Sequence, residues 1–215
     1  MSTSVKPGPR ERLLLAAQEL TYSQGVGVGV DALLKGAGVA RRSLYEHFGG
    51  KDGLIAEVLR RSTAEDVERY RATMGAAGDD PRARLLAVVD RLGRIAADPD
   101  FHGCRYLAAD LALTDPAHPG HEVTREYRRT VHGLFADEFA ALGHARPAFA
   151  ADQLLILVDG LLAAGATRPD VEPAAAARDL AEHIIDAGLA QAVPAGVTPR
   201  TPGSGAPSAA GPQPR

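Results

Sequence analysis

The residues with the most specific chemistry in this chain form one short run: Arg41, Arg42 and Ser43, then Tyr45 and His47, then Lys51. An arginine fork matches the O6 and N7 acceptors of guanine in the major groove, whereas Tyr, His and Lys donate to phosphate oxygens. Such a cluster reads a duplex only from the N-terminal end of a helix that can enter the groove. The flanking sequence supplies that helix. Val30, Leu33, Leu34 and Ala37 recur at i, i+3, i+4 and i+7 and predict a helix over 30–37. Gly38 offers a left-handed turn at little steric cost, and a second short helix is predicted over 41–48. This is helix-turn-helix spacing, in which the second helix lies in the groove with its first residues at the base edges. On spacing alone, the same pair of helices is equally consistent with ordinary packing, with the arginines on a solvated face.

Charge separates the two readings further. The chain has 215 residues and a formal net charge of −3, yet residues 1–61 carry +3 and the remainder −6. The basic end is therefore the one to face a polyanion. Hydrophobic residues make up 45% and charged residues 24%, which is enough apolar matter for a sizeable core. The longest unbroken run of large apolar residues, Leu154 to Val158, is far short of a membrane span, and residues 1–10 lack the apolar stretch of a secretory signal. No membrane association and a cytoplasmic location are expected. One cysteine, Cys104, leaves no disulfide framework and no cysteine-rich zinc module.

The elements that must position the cluster are all helical by period, so the fold class is all-α. Helices are predicted over 9–24, 30–37, 41–48 and 51–74, then over 81–97, 104–114, 121–142, 147–166 and 173–192, with Gly and Pro marking the breaks. This divides the chain into a three-helix unit at 9–60, a larger helical unit at 61–192, and a Pro/Gly/Ala/Ser tail at 193–215 that is expected to be disordered.

Residues 14–59, and above all GVARRSLYEHFGGKDGLIAEVL at 38–59, resemble the N-terminal DNA-binding domain of TetR-family transcriptional regulators: Gly38-Val39, Leu44-Tyr45, His47-Phe48, Lys51 and Leu54 fall at the family's spacing. Phe101, Gly103-Cys104 and the Asp115-Pro116-Ala117-His118-Pro119 stop are similar to one subgroup of that family. The resemblance implies a ligand-responsive, sequence-specific regulator, a repressor released from a double-stranded DNA operator by a small-molecule effector. It also implies that Arg41, Arg42, Ser43, Tyr45, His47 and Lys51 touch DNA. Where family members usually place Ser or Thr before the two short helices, this chain has Gly29 and Ala40; alanine caps poorly, at a cost of about 1 kcal/mol.

In the larger unit, aromatic residues at helical spacing read either as core or as the walls of an apolar cavity. Phe101, Cys104, Tyr106, Tyr127 and Asp159 are the candidate effector-binding residues. Helices 147–166 and 173–192 combine large apolar residues with Ala and Gly, which suggests a four-helix homodimer interface through Leu154, Leu157, Leu161, Ile184 and Gly188. His102, Cys104, His118 and His121 have no metal-ligand spacing. The glycines at 25, 27 and 29 follow a helix, where a dinucleotide loop follows a strand. With no nucleophile elbow or phosphate loop either, no cofactor, metal or enzymatic activity is expected. The alternative reading is a helical small-molecule- or protein-binding module on the same scaffold without DNA binding.

Overall fold

The computed structural model describes residues 7–168 and 171–189, and all their regular structure is α-helical. The elements are α1 (Pro9–Gln24), α2 (Val30–Ala37), α3 (Arg41–Phe48), α4 (Lys51–Ala76), α5 (Pro81–Ala96), α6 (Arg105–Ala112), α7 (Gly120–Ala141), α8 (Pro147–Thr167) and α9 (Pro173–Ala187). The expected last helix ends at Ala187, with Gly188 and Leu189 in a turn, and its expected residues 190–192 and the tail at 193–215 lie outside the described residues. Cys104 is the N-cap of α6 and not its first residue.

Three apolar clusters organise the chain. Leu13, Leu14, Ala17, Leu33, Leu44, Leu54 and Val58 close α1, α2 and α3 over the start of α4. Gly36, costly inside a helix in the abstract, has a reason here: a Cβ on it would stand 3.2 Å from Leu20 Cδ1 and 3.5 Å from Ala16 Cβ, so its absence lets α1 and α2 approach. A larger core joins the second half of α4 to α5, α7, α8 and α9 around the fully buried Phe135, Phe139, Leu85, Leu154 and Ile185. Burying one such side chain is worth roughly 1.5–3 kcal/mol. Between the two sits a third cluster of Val26, Ile55, Ala56, Leu59, Tyr106, Ala109 and Val123, which docks α6 and the start of α7 on α4. The boundary expected at 60/61 therefore falls inside α4, which belongs to both units.

α8 is long and apolar enough, by length and composition, to cross a membrane, with a mean hydropathy of 1.6 over its most apolar window. Counting unbroken large apolar residues misses this because Gln153 and Asp159 bound the run Leu154–Val158, while the rest of the helix is mostly Ala, Leu and Gly. The side chains account for it within the bundle: Leu154, Val158, Leu161 and Leu162 are buried, and α8 packs against α5, α7 and α9.

Candidate functional site

The first site is the surface of α3. Gly38, at φ 60° and ψ 45°, adopts the left-handed conformation, and the backbone N–H of Val39 turns back to the carbonyl of Leu34 at 3.2 Å. That turn is braced from α1, where the Arg12 guanidinium donates to the Gly38 carbonyl at 3.1 Å. Neither Gly29 nor Ala40 supplies a side-chain cap, as their residue types imply. Leu44 is the inward anchor of α3, wholly buried, while Arg41, Arg42, Tyr45 and His47 are exposed. Ser43 and Lys51 are half-buried, Lys51 opening α4 just beyond the Gly49-Gly50 corner. The six residues thus lie on or immediately beside one short helix. In the free protein its two arginines hold carboxylates: Arg41 pairs with Asp31 of α2 at 2.6 Å, and Arg42 with Glu46 one turn on. Both pairs are exposed and worth little.

The second site is a cavity of about 200 Å³ between α4, α5, α6 and α7, whose wall includes Phe101, Cys104, Tyr106 and Tyr127. Tyr106 and Tyr127 stack with ring centroids 3.6 Å apart, and the Tyr127 hydroxyl lies 3.4 Å from that of Tyr70. The Tyr106 hydroxyl donates to Asp66 at 2.8 Å. Burial raises the pKa of all three tyrosines, Tyr70 to about 12, so each stays a neutral hydrogen-bonding phenol. Burial also pushes the Cys104 thiol up despite its place at the start of α6, the opposite of what a reactive thiolate requires.

Asp159 is not in that wall. Half-buried, it stands near enough for its charge to help raise the Cys104 thiol, and burial raises its own pKa while Arg128 opposes the rise. Residues that the sequence did not single out for this site also line the wall, among them Tyr22 from the last turn of α1, Asp66, Arg69 and Tyr70 from α4, and Arg91 from α5. A weak signal for them exists, since Asp66 and Tyr70 share one face of α4 at i, i+4, but nothing in the sequence brings that face to α6.

The histidines disperse. His121 Nδ1 bonds Asp110 at 2.6 Å; His118 Nε2 faces Asp52 at 3.5 Å while its Nδ1 accepts from the Gly120 N–H; and the His102 ring lies edge-on to Tyr22. Among the described residues no group of three His, Cys, Asp or Glu is placed to hold a metal ion.

The apolar face of α8 and α9 differs from the expected one. Leu154 is wholly buried and Leu161 is 3% exposed, both in the chain's own core, and Gly188 is buried beneath the His144 ring. Leu154 and Gly188 present no surface, and Leu161, though nearly buried, lines a groove along α8 and α9. Leu157 and Ile184 are half-buried. The exposed apolar residues around the groove that includes Gly160 are Ile156 at 73%, Leu180 at 52% and Val171, while Phe149 is exposed near the start of α8, outside that groove.

Residues 13–58 match the family profile described as "Bacterial regulatory proteins, tetR family". The chain is 34% identical over 167 residues to the HTH-type transcriptional regulator BetI of Stenotrophomonas maltophilia, covering 73% of this chain and 81% of that protein. A TetR-type transcriptional regulator of Streptomyces avermitilis, solved by crystallography, superposes with a TM-score of 0.74 at 38% identity, over 85% of this chain and 98% of that one. The regulator FadR of Bacillus subtilis, solved in complex with stearoyl-CoA, shares the fold at 16% identity and a TM-score of 0.63, over 81% of this chain and 97% of that one.

Proposed function

The chain belongs to the tetR family of bacterial regulatory proteins and is a DNA-binding transcriptional regulator, and from that premise we propose that it is ligand-responsive and acts as a homodimeric repressor in the cytoplasm, released from its operator by a small molecule in the Tyr106–Tyr127 cavity. The observation that carries the reading is the composition of the cavity wall. Tyr22 belongs to α1 of the helix-turn-helix unit, and Tyr106 to α6, which the central apolar cluster docks on α4. A molecule entering there touches both units at once, and any difference in its fit between two arrangements of α1, α4 and α6 becomes a difference in DNA affinity.

DNA contact is assigned to Arg41 and Arg42 as base readers and to Ser43, Tyr45, His47 and Lys51 as backbone contacts. Pairing of two copies is assigned to the exposed stripe of α8 and α9: Ile156, Gly160 and Leu180, with Leu157, Ile184 and Val171 at its edges. Isologous pairing of that stripe relates two α3 helices by a twofold axis, which a palindromic site mirrors. No catalytic role is assigned: the tyrosines and the thiol of the cavity are held neutral by burial, with no activated nucleophile beside them.

Selection of duplexes from a random pool by the full chain tests this reading. Enrichment of an inverted repeat with half-sites about one helical turn apart is the expected result. Recovery of no preferred sequence, with the protein folded, would favour a binding module that does not read DNA.

A further inference from the structure

We propose that the cavity takes an amphipathic anion: an apolar body about the size of one aromatic ring or a short acyl chain, bearing a carboxylate or phosphate that Arg91 receives. The proposal rests on the reading of this cavity as the effector site and adds the ligand's chemical class.

Size comes first. A cavity of about 200 Å³ is modestly larger than the ~150 Å³ void that accepts benzene in a protein core. Leu92, Phe101, Leu162 and the stacked Tyr106–Tyr127 pair give it an apolar floor. Charge then sets the sign. Three arginines, Arg69, Arg91 and Arg105, face one carboxylate, Asp66. Asp66 is already occupied: it accepts from Arg69 at 2.6 Å and from the Tyr106 hydroxyl at 2.8 Å, and Arg105 approaches it at 3.9 Å. A cationic ligand would meet a neutralised carboxylate within a positive wall. Arg105 in turn donates to Ser62 Oγ at 3.0 Å and lies over the Tyr22 ring.

Arg91 is different. It is half-buried in the cavity wall and forms no ion pair or side-chain hydrogen bond among the described residues. It also lines the adjoining open groove between α4 and α5 together with Arg69, Arg94 and one carboxylate, Asp90, which Arg178 of α9 already holds. An anion at Arg91 therefore sits where the apolar cavity meets a basic groove, with room beyond it for a larger headgroup. A charge-assisted bond to a half-buried guanidinium supports a preference of about tenfold over a neutral isostere.

The test is calorimetric titration of the full chain with four probes sharing one body: 3-phenylpropanoate, 3-phenylpropyl phosphate, 3-phenylpropanamide and 3-phenylpropylamine. The expected result is that the two anions bind about tenfold tighter than the amide and the amine, that Arg91→Gln abolishes this preference while amide binding and the thermal melt are kept, and that Arg94→Gln, altering only the open groove, retains it. The order of carboxylate and phosphate distinguishes a free acid from a phosphorylated ligand. Amide or amine binding as tight as the anions, a preference that survives Arg91→Gln, or no binding by any probe at millimolar concentration would overturn the proposal. Repeating the titration with a selected duplex present separates the two readings. Selective anion binding that leaves DNA affinity unchanged removes the effector role and keeps the ligand class, whereas DNA release by the amine or amide alone does the reverse.

Discussion

The Arg105 guanidinium lies 5.0 Å from the centroid of the Tyr22 ring, joining the first turn of α6 to the last turn of α1. The Tyr22 hydroxyl also accepts the backbone N–H of His102 at 3.2 Å, and Arg105 reaches across to Ser62 on α4. One side chain thus ties three helices at the place where the helix-turn-helix unit meets the cavity.

Replacing Arg105 with Gln removes the cation–π contact and shortens the reach to Ser62. A partly exposed contact of this type is worth about 0.5–1 kcal/mol, with a comparable term for the hydrogen bond. The midpoint of urea unfolding should fall with an unchanged slope. Tyr22→Leu should lower it similarly, and the double variant should fall by less than the two combined. Additive losses would show that the two residues do not act on each other.

Arg42→Ala should weaken binding to the selected operator by about 1–3 kcal/mol and relax the preference at one base position. Lys51→Ala should weaken all duplexes alike and reduce the salt dependence by about one phosphate contact. Titrations by fluorescence anisotropy at several salt concentrations separate the two behaviours. An Arg42→Ala protein with unchanged operator affinity contradicts base reading by that residue.

Much of this arrangement is legible in the sequence because it is local. The 3.6-residue period of Val30, Leu33, Leu34 and Ala37, the turn at Gly38 and the run from Arg41 to Lys51 are matters of adjacent residues, and the helices they predict form where expected. What is not legible depends on which of several apolar faces is turned inward. α8 carries Leu, Ile, Val or Ala on nearly every side, so its sequence does not distinguish buried Leu154 and Leu161 from exposed Ile156. The cavity is illegible for a related reason: Tyr22, Tyr70, Arg91 and Tyr106 come from four helices, and only tertiary packing collects them while leaving Asp159 outside.

That distinction on α8 predicts two different failures. Ile156→Glu places a charge on an exposed stripe and should leave the helical content and melting of the chain nearly intact while converting dimers to monomers and abolishing operator binding. Leu161→Glu buries an unpaired carboxylate in the core, a change of several kcal/mol, and should unfold the chain outright. Light scattering and circular dichroism on both variants decide the matter. Dimers persisting in Ile156→Glu at micromolar concentration would reject this face as the interface.

The last expectation concerns acid. Asp110 of α6 receives three bonds, from Arg128 at 2.7 Å, His121 Nδ1 at 2.6 Å and Thr124 Oγ1 at 2.9 Å, the last two from the start of α7. Burial alone would push its carboxyl up, but these donors outweigh burial and hold it below the ordinary carboxylate range. A folded value below the unfolded one, which is about 3.9, means that the ionised carboxylate stabilises the fold fully above that pH. The contribution is then lost as pH falls through the depressed folded value, since proton uptake favours the unfolded chain. Asp110→Asn keeps the shape and loses the charge. Urea unfolding across pH 3 to 7 should find the variant less stable than the parent at neutral pH, with the gap narrowing towards pH 3. Other acids with lowered values, such as Glu57, are common to both proteins and cancel in the difference. A gap that stays constant across the range would show that the three bonds to Asp110 do not depend on its charge.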